Sequence, residues 1–257
     1  MIGGTSSREG TNAVRIEKAL LICFLLISSP AVLFAQSLNV LSAQEKAQGW
    51  QLLFDGKTLR GWHSSAPPQG RGQRDGAAAQ PAAAAQPSAA AQVGSNPKPC
   101  VTGQGKSSAP ASASHREVVD GLLTPCGDPA GYLTSDQSYK NFVLSIEFKC
   151  GEDANSGVFV RSPKENGGYE VQIWKQQPAG YNTGAIVGTA KTARDYKFKA
   201  DQWNHYQITA DGDHIVVVLN GDTTLDVHDA KFSEGNLRLQ YQKFPMEFRN
   251  IKIRPLP

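Results

Sequence analysis

The chain has 257 residues, a formal net charge of +3 and 40% hydrophobic residues. So near-neutral a balance excludes an electrostatic case for nucleic acid or for an anionic membrane surface. None of its four cysteines stands at metal-ligand spacing from another, which argues against a zinc site.

Arg15 and Lys18 precede the apolar run from Ala19 to Ala35, which Ser28, Ser29 and Pro30 interrupt. Basic, then apolar, then small residues in that order predict a secretory signal peptide over residues 1–35. A membrane anchor is the competing reading, but the run is short for a span and Pro30 breaks it. Removal of this leader lowers the charge by one and leaves a soluble chain, secreted or periplasmic, with no membrane contact. In an oxidising compartment the remaining Cys100, Cys126 and Cys150 predict one disulfide and one buried free thiol, with Cys100–Cys126 the preferred pair.

Residues 36–257 read as a single domain with an interruption at about 69–114. That stretch contains "AAAQPAAAAQPSAAAQ" and almost nothing large and apolar. It cannot offset the entropy of its own ordering, so it is predicted to be a disordered insertion. "GWQLLFDGKTLRGW" before it is too short to fold alone, and the one predicted helix lies earlier, near Ser42.

After the insertion come short strands. "EVVDGLLTP" carries a turn at Asp120-Gly121, and "GYLTSD" follows. "NFVLSIEFKC" alternates, with Phe142, Leu144, Ile146 and Phe148 on one face. "SGVFVRS", "YEVQIW", a long segment with hairpin signals at Asp211-Gly212 and Asn220-Gly221, "NLRLQYQ" and "EFRNIKIRP" complete the series. Trp203 and Asn204 read as the start of an edge strand. The pattern predicts an all-β antiparallel sandwich of two sheets, with a closed barrel as the alternative.

One strand is unusual. In "GYEVQIW", Tyr169, Val171 and Ile173 form an ordinary core face, while Glu170, Gln172 and Trp174 share the other. The strand before it puts Gly157, Phe159 and Arg161 on one face, and a late strand adds Arg238, Gln240 and Gln242 at period two. If these rows coincide, a carboxylate, amides and guanidinium groups meet aromatic rings, as sugar-holding sites require. A solvated outer sheet remains the plain alternative. None of the five histidines has helical metal-ligand spacing, and no phosphate loop or Ser/His/Asp arrangement is present.

The strings "NSGVFVRSP", "YEVQI", "GAIVG", "WNHYQITADGDHIVVVLNG" and "FRNIKIRP", after "GWQLLFDGKTLRGW", occur in an order that resembles the 3-keto-disaccharide hydrolase-like family. The resemblance covers nearly all of the chain after the leader except the insertion. It implies a concanavalin A-like jelly-roll and an exported enzyme that cleaves 3-keto-glycosides or 3-keto-disaccharides. The implied route is abstraction of the C2 proton, elimination of the aglycone and hydration. Glu170 and Gln172 stand at the family's motif positions, Glu170 as general base and Arg161 or a bound divalent metal ion as partner of the enolate oxygen. Asn155, Gln172, Gln240 and Gln242 would orient hydroxyls, and Trp174 would stack. A sugar 3-oxidoreductase would supply the ketone. Two departures stand out: Arg116 replaces a frequent Trp, and Gln242 stands where relatives often carry His. A non-catalytic carbohydrate-binding module on the same sandwich is the second reading, and a structural surface protein the third.

Overall fold

The computed structural model describes residue 3 and residues 38–65, 115–126, 131–163, 167–241 and 246–257. The signal peptide, the insertion, Cys100 and Gln242 all lie outside the described residues. Gln36–Pro257 forms one compact unit, and the regular elements of its described part are strands apart from one short helix. The predicted helix is short, α1 (Ala43–Ala47), and a capping box starts it. Ser42 Oγ accepts from the Glu45 N–H at 3.1 Å, and the Glu45 carboxylate accepts from the Ser42 N–H at 2.7 Å.

The strands, numbered in chain order, form two antiparallel sheets. The larger runs β11 (Asp222–His228), β10 (His214–Leu219), β9 (Asn204–Asp211), β6 (Phe142–Cys150), β13 (Met246–Pro255), β4 (Leu122–Cys126) and β3 (His115–Val119). The short β1 (Gln51–Leu52) also pairs with β13. The smaller sheet runs β2 (Trp62–Ser65), β5 (Gly131–Tyr139), β12 (Gly235–Tyr241), β7 (Ser156–Ser162) and β8 (Tyr169–Ile173). This is the expected all-β, concanavalin A-like jelly-roll sandwich.

Period-two alternation does the sorting. Phe142, Leu144, Ile146 and Phe148 of β6 are all buried, and they meet Leu133, Val158, Val171 and Leu239 of the smaller sheet in one core cluster. Asp120-Gly121 and Asn220-Gly221 take positive φ at both positions (51° and 77°, 52° and 93°), as tight hairpin turns require. At the third hairpin Asp211 is itself paired, with His214, so Gly212 and Asp213 make the turn. Cys150 is the buried free thiol, pushed up to about 12 by burial.

Two expectations need correction. Asn204 does not start an edge strand: β9 pairs with both β10 and β6, and the buried Asn204 amide bonds back to the preceding loop at Lys199 and Gln202. The second concerns Arg161. Along β12 the pairing moves from Asn236 to Arg238, while along β7 it moves from Ser162 to Phe159. Strand β7 therefore holds an extra residue, a bulge, and Arg161 sits in it at φ 49°. Gly235 permits the close approach, since a Cβ there would lie 2.4 Å from the Ser162 carbonyl oxygen.

The bulge sends the fully buried Arg161 away from the Glu170 face. Its Nε donates to the Lys140 carbonyl at 2.7 Å and its Nη1 to that of Gly212 at 2.6 Å. Longer bonds reach Phe232 O at 3.3 Å and Asn141 Oδ1 at 3.2 Å. One guanidinium thus ties the β5–β6 turn, the β9–β10 hairpin and the segment before β12. Arg161→Met should strand these acceptors and cost about 3 kcal/mol, read as a lower denaturant midpoint.

Candidate functional site

The site is assembled by register. Thr134 of β5 pairs with Arg238 of β12, Arg238 with Phe159 of β7, and Phe159 with Glu170 of β8. Their neighbours Leu133, Leu239, Val158 and Val171 point into the core, so this row faces out of the sandwich. Two residues along the strands, Tyr132 pairs with Gln240 and Gly157 pairs with Gln172. Glu170, Gln172 and Gln240 therefore do share one outer face with Phe159.

This face is not a solvated back. Glu170 is 8% exposed, Arg238 5%, Phe159 4% and Gln172 3%. Burial pushes the Glu170 carboxyl up from 4.5 to about 8, and the charge of Arg238 draws it partly back. Room for this side chain comes from a missing one. A Cβ on Gly157 would lie 2.9 Å from Glu170 Oε1 and 3.0 Å from its Cγ, so the glutamate lies across the glycine. That explains the glycine of the "NSG" string.

Strand β8 is held on several sides. Its free edge is covered by the segment that contains "GAIVG": Val187 N–H donates to the Glu170 carbonyl and Gly184 N–H to that of Gln172, both at 3.0 Å. From the opposite sheet, the Tyr206 hydroxyl crosses the core to donate to the Gln172 carbonyl at 2.7 Å. The Tyr169 hydroxyl donates to Asp229 and accepts from the Phe232 N–H at 3.0 Å. The Glu170 backbone is thereby fixed from both neighbours.

The two amides are also set. Gln172 Oε1 accepts the Ile173 N–H at 3.0 Å, so its Nε2 is left to donate. Gln240 Oε1 is buried with no hydrogen-bond partner, an acceptor that a ligand hydroxyl could satisfy. Asn155 lies just before β7 and Trp174 just past β8, both half-buried. Gln242 lies outside the described residues.

Arg161 is not brought here. The cation on this face is Arg238, whose place in the period-two row was visible in the sequence but carried no assigned role. Its Cζ lies 3.9 Å from the centre of the Tyr132 ring and 5.5 Å from that of Phe159, and the two rings meet edge to face. Tyr132 and Gly157 likewise had no role in the sequence reading; the signal for all three was the cross-strand register. Among the described residues no group of three or more His, Cys, Asp or Glu could hold a metal ion. Beside the Glu170 carboxylate stand a cationic guanidinium and two amides, and one amide oxygen, Gln172 Oε1, already accepts the Ile173 N–H, so the oxygen ligands on this face are too few for a divalent cation.

Solved structures share the architecture. A crystal structure from Parabacteroides distasonis, described as a "putative glycosyl hydrolase", superposes with a TM-score of 0.61 at 18% identity, covering 86% of this chain and 100% of that one. A second from the same organism, described in the same words, gives a TM-score of 0.51 at 22% identity, over 81% of this chain and 84% of that one. At these identities the likeness shows the fold alone. No curated protein matches the chain. The profile of the 3-keto-alpha-glucoside-1,2-lyase-like domain matches residues 49–254, which span both sheets and the Glu170 face. The chain therefore belongs to this carbohydrate-related family.

Proposed function

We propose that the protein cleaves 3-keto-glycosides by elimination, with Glu170 as the base. A ketone at C3 acidifies the C2 proton, because the electron pair left behind moves into an enolate. Glu170 takes that proton. The enolate then re-forms the ketone and expels the aglycone oxygen from C1, and that oxygen receives the proton from Glu170. Water adds across the resulting C1–C2 double bond, for net hydrolysis. The observation that carries this reading is the buried carboxyl of Glu170, raised to about 8, on a face with an arginine and aromatic rings. A base whose pKa lies near the working pH is suited to proton abstraction from carbon.

The pattern supports elimination over direct hydrolysis for a further reason. A glycosidase of the common kind sets two carboxyls across the bond, and Glu170 is the one carboxylate in these rows. Phe159 and Tyr132 suit a sugar ring, and Gln240 and Gln172 suit its hydroxyls. A signal peptide over residues 1–35 would send such an enzyme out of the cytoplasm, secreted or periplasmic. An oxidoreductase acting at C3 must supply its substrate.

Glu170→Gln should keep the fold and sugar binding and lower turnover by roughly two to four orders of magnitude, measured as aglycone release from a 3-keto-glycoside. Equal rates would reject Glu170 as the base. Sugar binding with no turnover by wild type on any 3-keto-glycoside would leave the carbohydrate-binding module.

The pH dependence has a defined sign. Turnover needs the ionised carboxylate, so kcat/KM should rise with pH to a plateau above about 8. Stability runs the other way. The folded state favours the neutral carboxyl, so its contribution is complete below 4.5 and is lost as pH rises through about 8. Melting temperatures should show Glu170→Gln gaining on wild type between pH 5 and pH 9. A constant difference would contradict the buried carboxyl.

Gly157→Ala supplies a geometric check. The new methyl group displaces the Glu170 carboxylate, so turnover should drop at least about tenfold while the circular dichroism spectrum stays that of the sandwich.

A further inference from the structure

We infer that Arg238 is the group that receives the C3 oxygen of the substrate and holds its charge as the enolate forms. This rests on the elimination chemistry proposed above and supplies the electrophile it lacks. The expected partner, Arg161, is committed to backbone carbonyls beyond the bulge.

The argument starts from how Arg238 is held. Its guanidinium lies against the Tyr132 ring, and Phe159 stands on the same group at longer range. Ring contacts occupy the faces of a guanidinium and leave its N–H groups in the plane between them. Among the described residues those N–H groups make one hydrogen bond, from Nη1 to Ser162 Oγ at 3.4 Å. That hydroxyl is itself engaged, donating to the Gly167 carbonyl at 2.7 Å. A cation 5% exposed with so little of its donor capacity used costs stability on its own.

The surroundings specify the ligand. Arg238 and Glu170 belong to one cross-strand row with Phe159 between them, and Arg238 is the charge that acts on Glu170. They are not spent on each other, since burial still dominates the Glu170 carboxyl. A base and a cation separated by one aromatic position suit a substrate that loses a proton at one carbon and gains negative charge on the oxygen of the next. Gln240 Oε1, two residues along β12, is an acceptor and suits a hydroxyl rather than the carbonyl. The ligand class is therefore a neutral sugar bearing a ketone, with Arg238 on the ketone oxygen and Gln240 on a hydroxyl. A sugar with a hydroxyl at C3 would develop no charge there and so would not draw on Arg238.

The test uses full-length protein and 4-nitrophenyl 3-keto-α-glucoside, with Arg238→Met, Arg238→Lys and Glu170→Gln measured side by side. Arg238→Met should lower kcat by roughly two to three orders of magnitude with little change in KM. Removal of the charge that favours the ionised carboxylate should also move the midpoint of the pH–rate profile upward. Arg238→Lys keeps the charge, so it should hold the midpoint near that of wild type and recover part of kcat. If Arg238→Met does not fold, a loss of kcat in Arg238→Lys of at least about tenfold with unchanged KM still supports the assignment. Wild-type kcat in either folded variant, with Glu170→Gln inactive, would overturn the role of Arg238 and leave the base. Activity in Glu170→Gln would overturn the elimination reading itself.

Discussion

The arrangement of charge in this sandwich depends on one extra residue in β7. Without the bulge, Phe159 and Arg161 would follow each other on the outer face, and Arg161 would stand beside the Glu170 row. With it, Arg161 takes a left-handed conformation and turns to the turns and hairpin at one end of the molecule. Two buried arginines on neighbouring strands thereby acquire different work. Arg161 has its donors filled by carbonyl oxygens and acts as a clamp, whereas Arg238, among the described residues, makes one hydrogen bond, to Ser162 Oγ, and stands in the row of Glu170.

Burying Glu170 opposes stability, and the fold offsets this locally. Gly157 clears the space over which the carboxyl lies. The strand that carries it is bonded along its edge by the segment containing "GAIVG" and is reached from the opposite sheet by Tyr206. A backbone so heavily constrained keeps the carboxyl from swinging out to water, where its pKa would fall back to the ordinary range. The same reasoning accounts for Tyr132 and Phe159: rings that cover a guanidinium hold it in plane without satisfying its N–H groups, which neutral hydrogen-bonding neighbours would do.

The strings that carry the resemblance to the family are ones that this geometry explains. The glycine of "NSG" is the floor under Glu170, "YEVQI" is the strand itself, and "GAIVG" is its covering edge. The late strand bears Arg238 and Gln240, two residues apart on one face. The family match spans residues 49–254, while the proposed chemistry rests on a few positions in the smaller sheet.

Much of this was fixed locally and could be read from residues alone. Alternation at period two gave β6 its core face, and Asp-Gly and Asn-Gly pairs gave the hairpins, because both effects act within a few residues. The face of Glu170 and Gln172 followed from the same alternation. What the sequence did not contain was register. Whether Arg161 or Arg238 meets Glu170 depends on which residue pairs with which across three strands, and a single bulge reverses the answer. The position of Asn204 was lost for the same reason, since an interior strand and an edge strand look alike until their partners are known. Burial was also a tertiary outcome: an alternating Glu, Gln and Trp left a site and a solvated sheet both open until neighbouring strands and the "GAIVG" segment surrounded it. Local periodicity determined which side chains share a face; only long-range pairing decided which charges share a site.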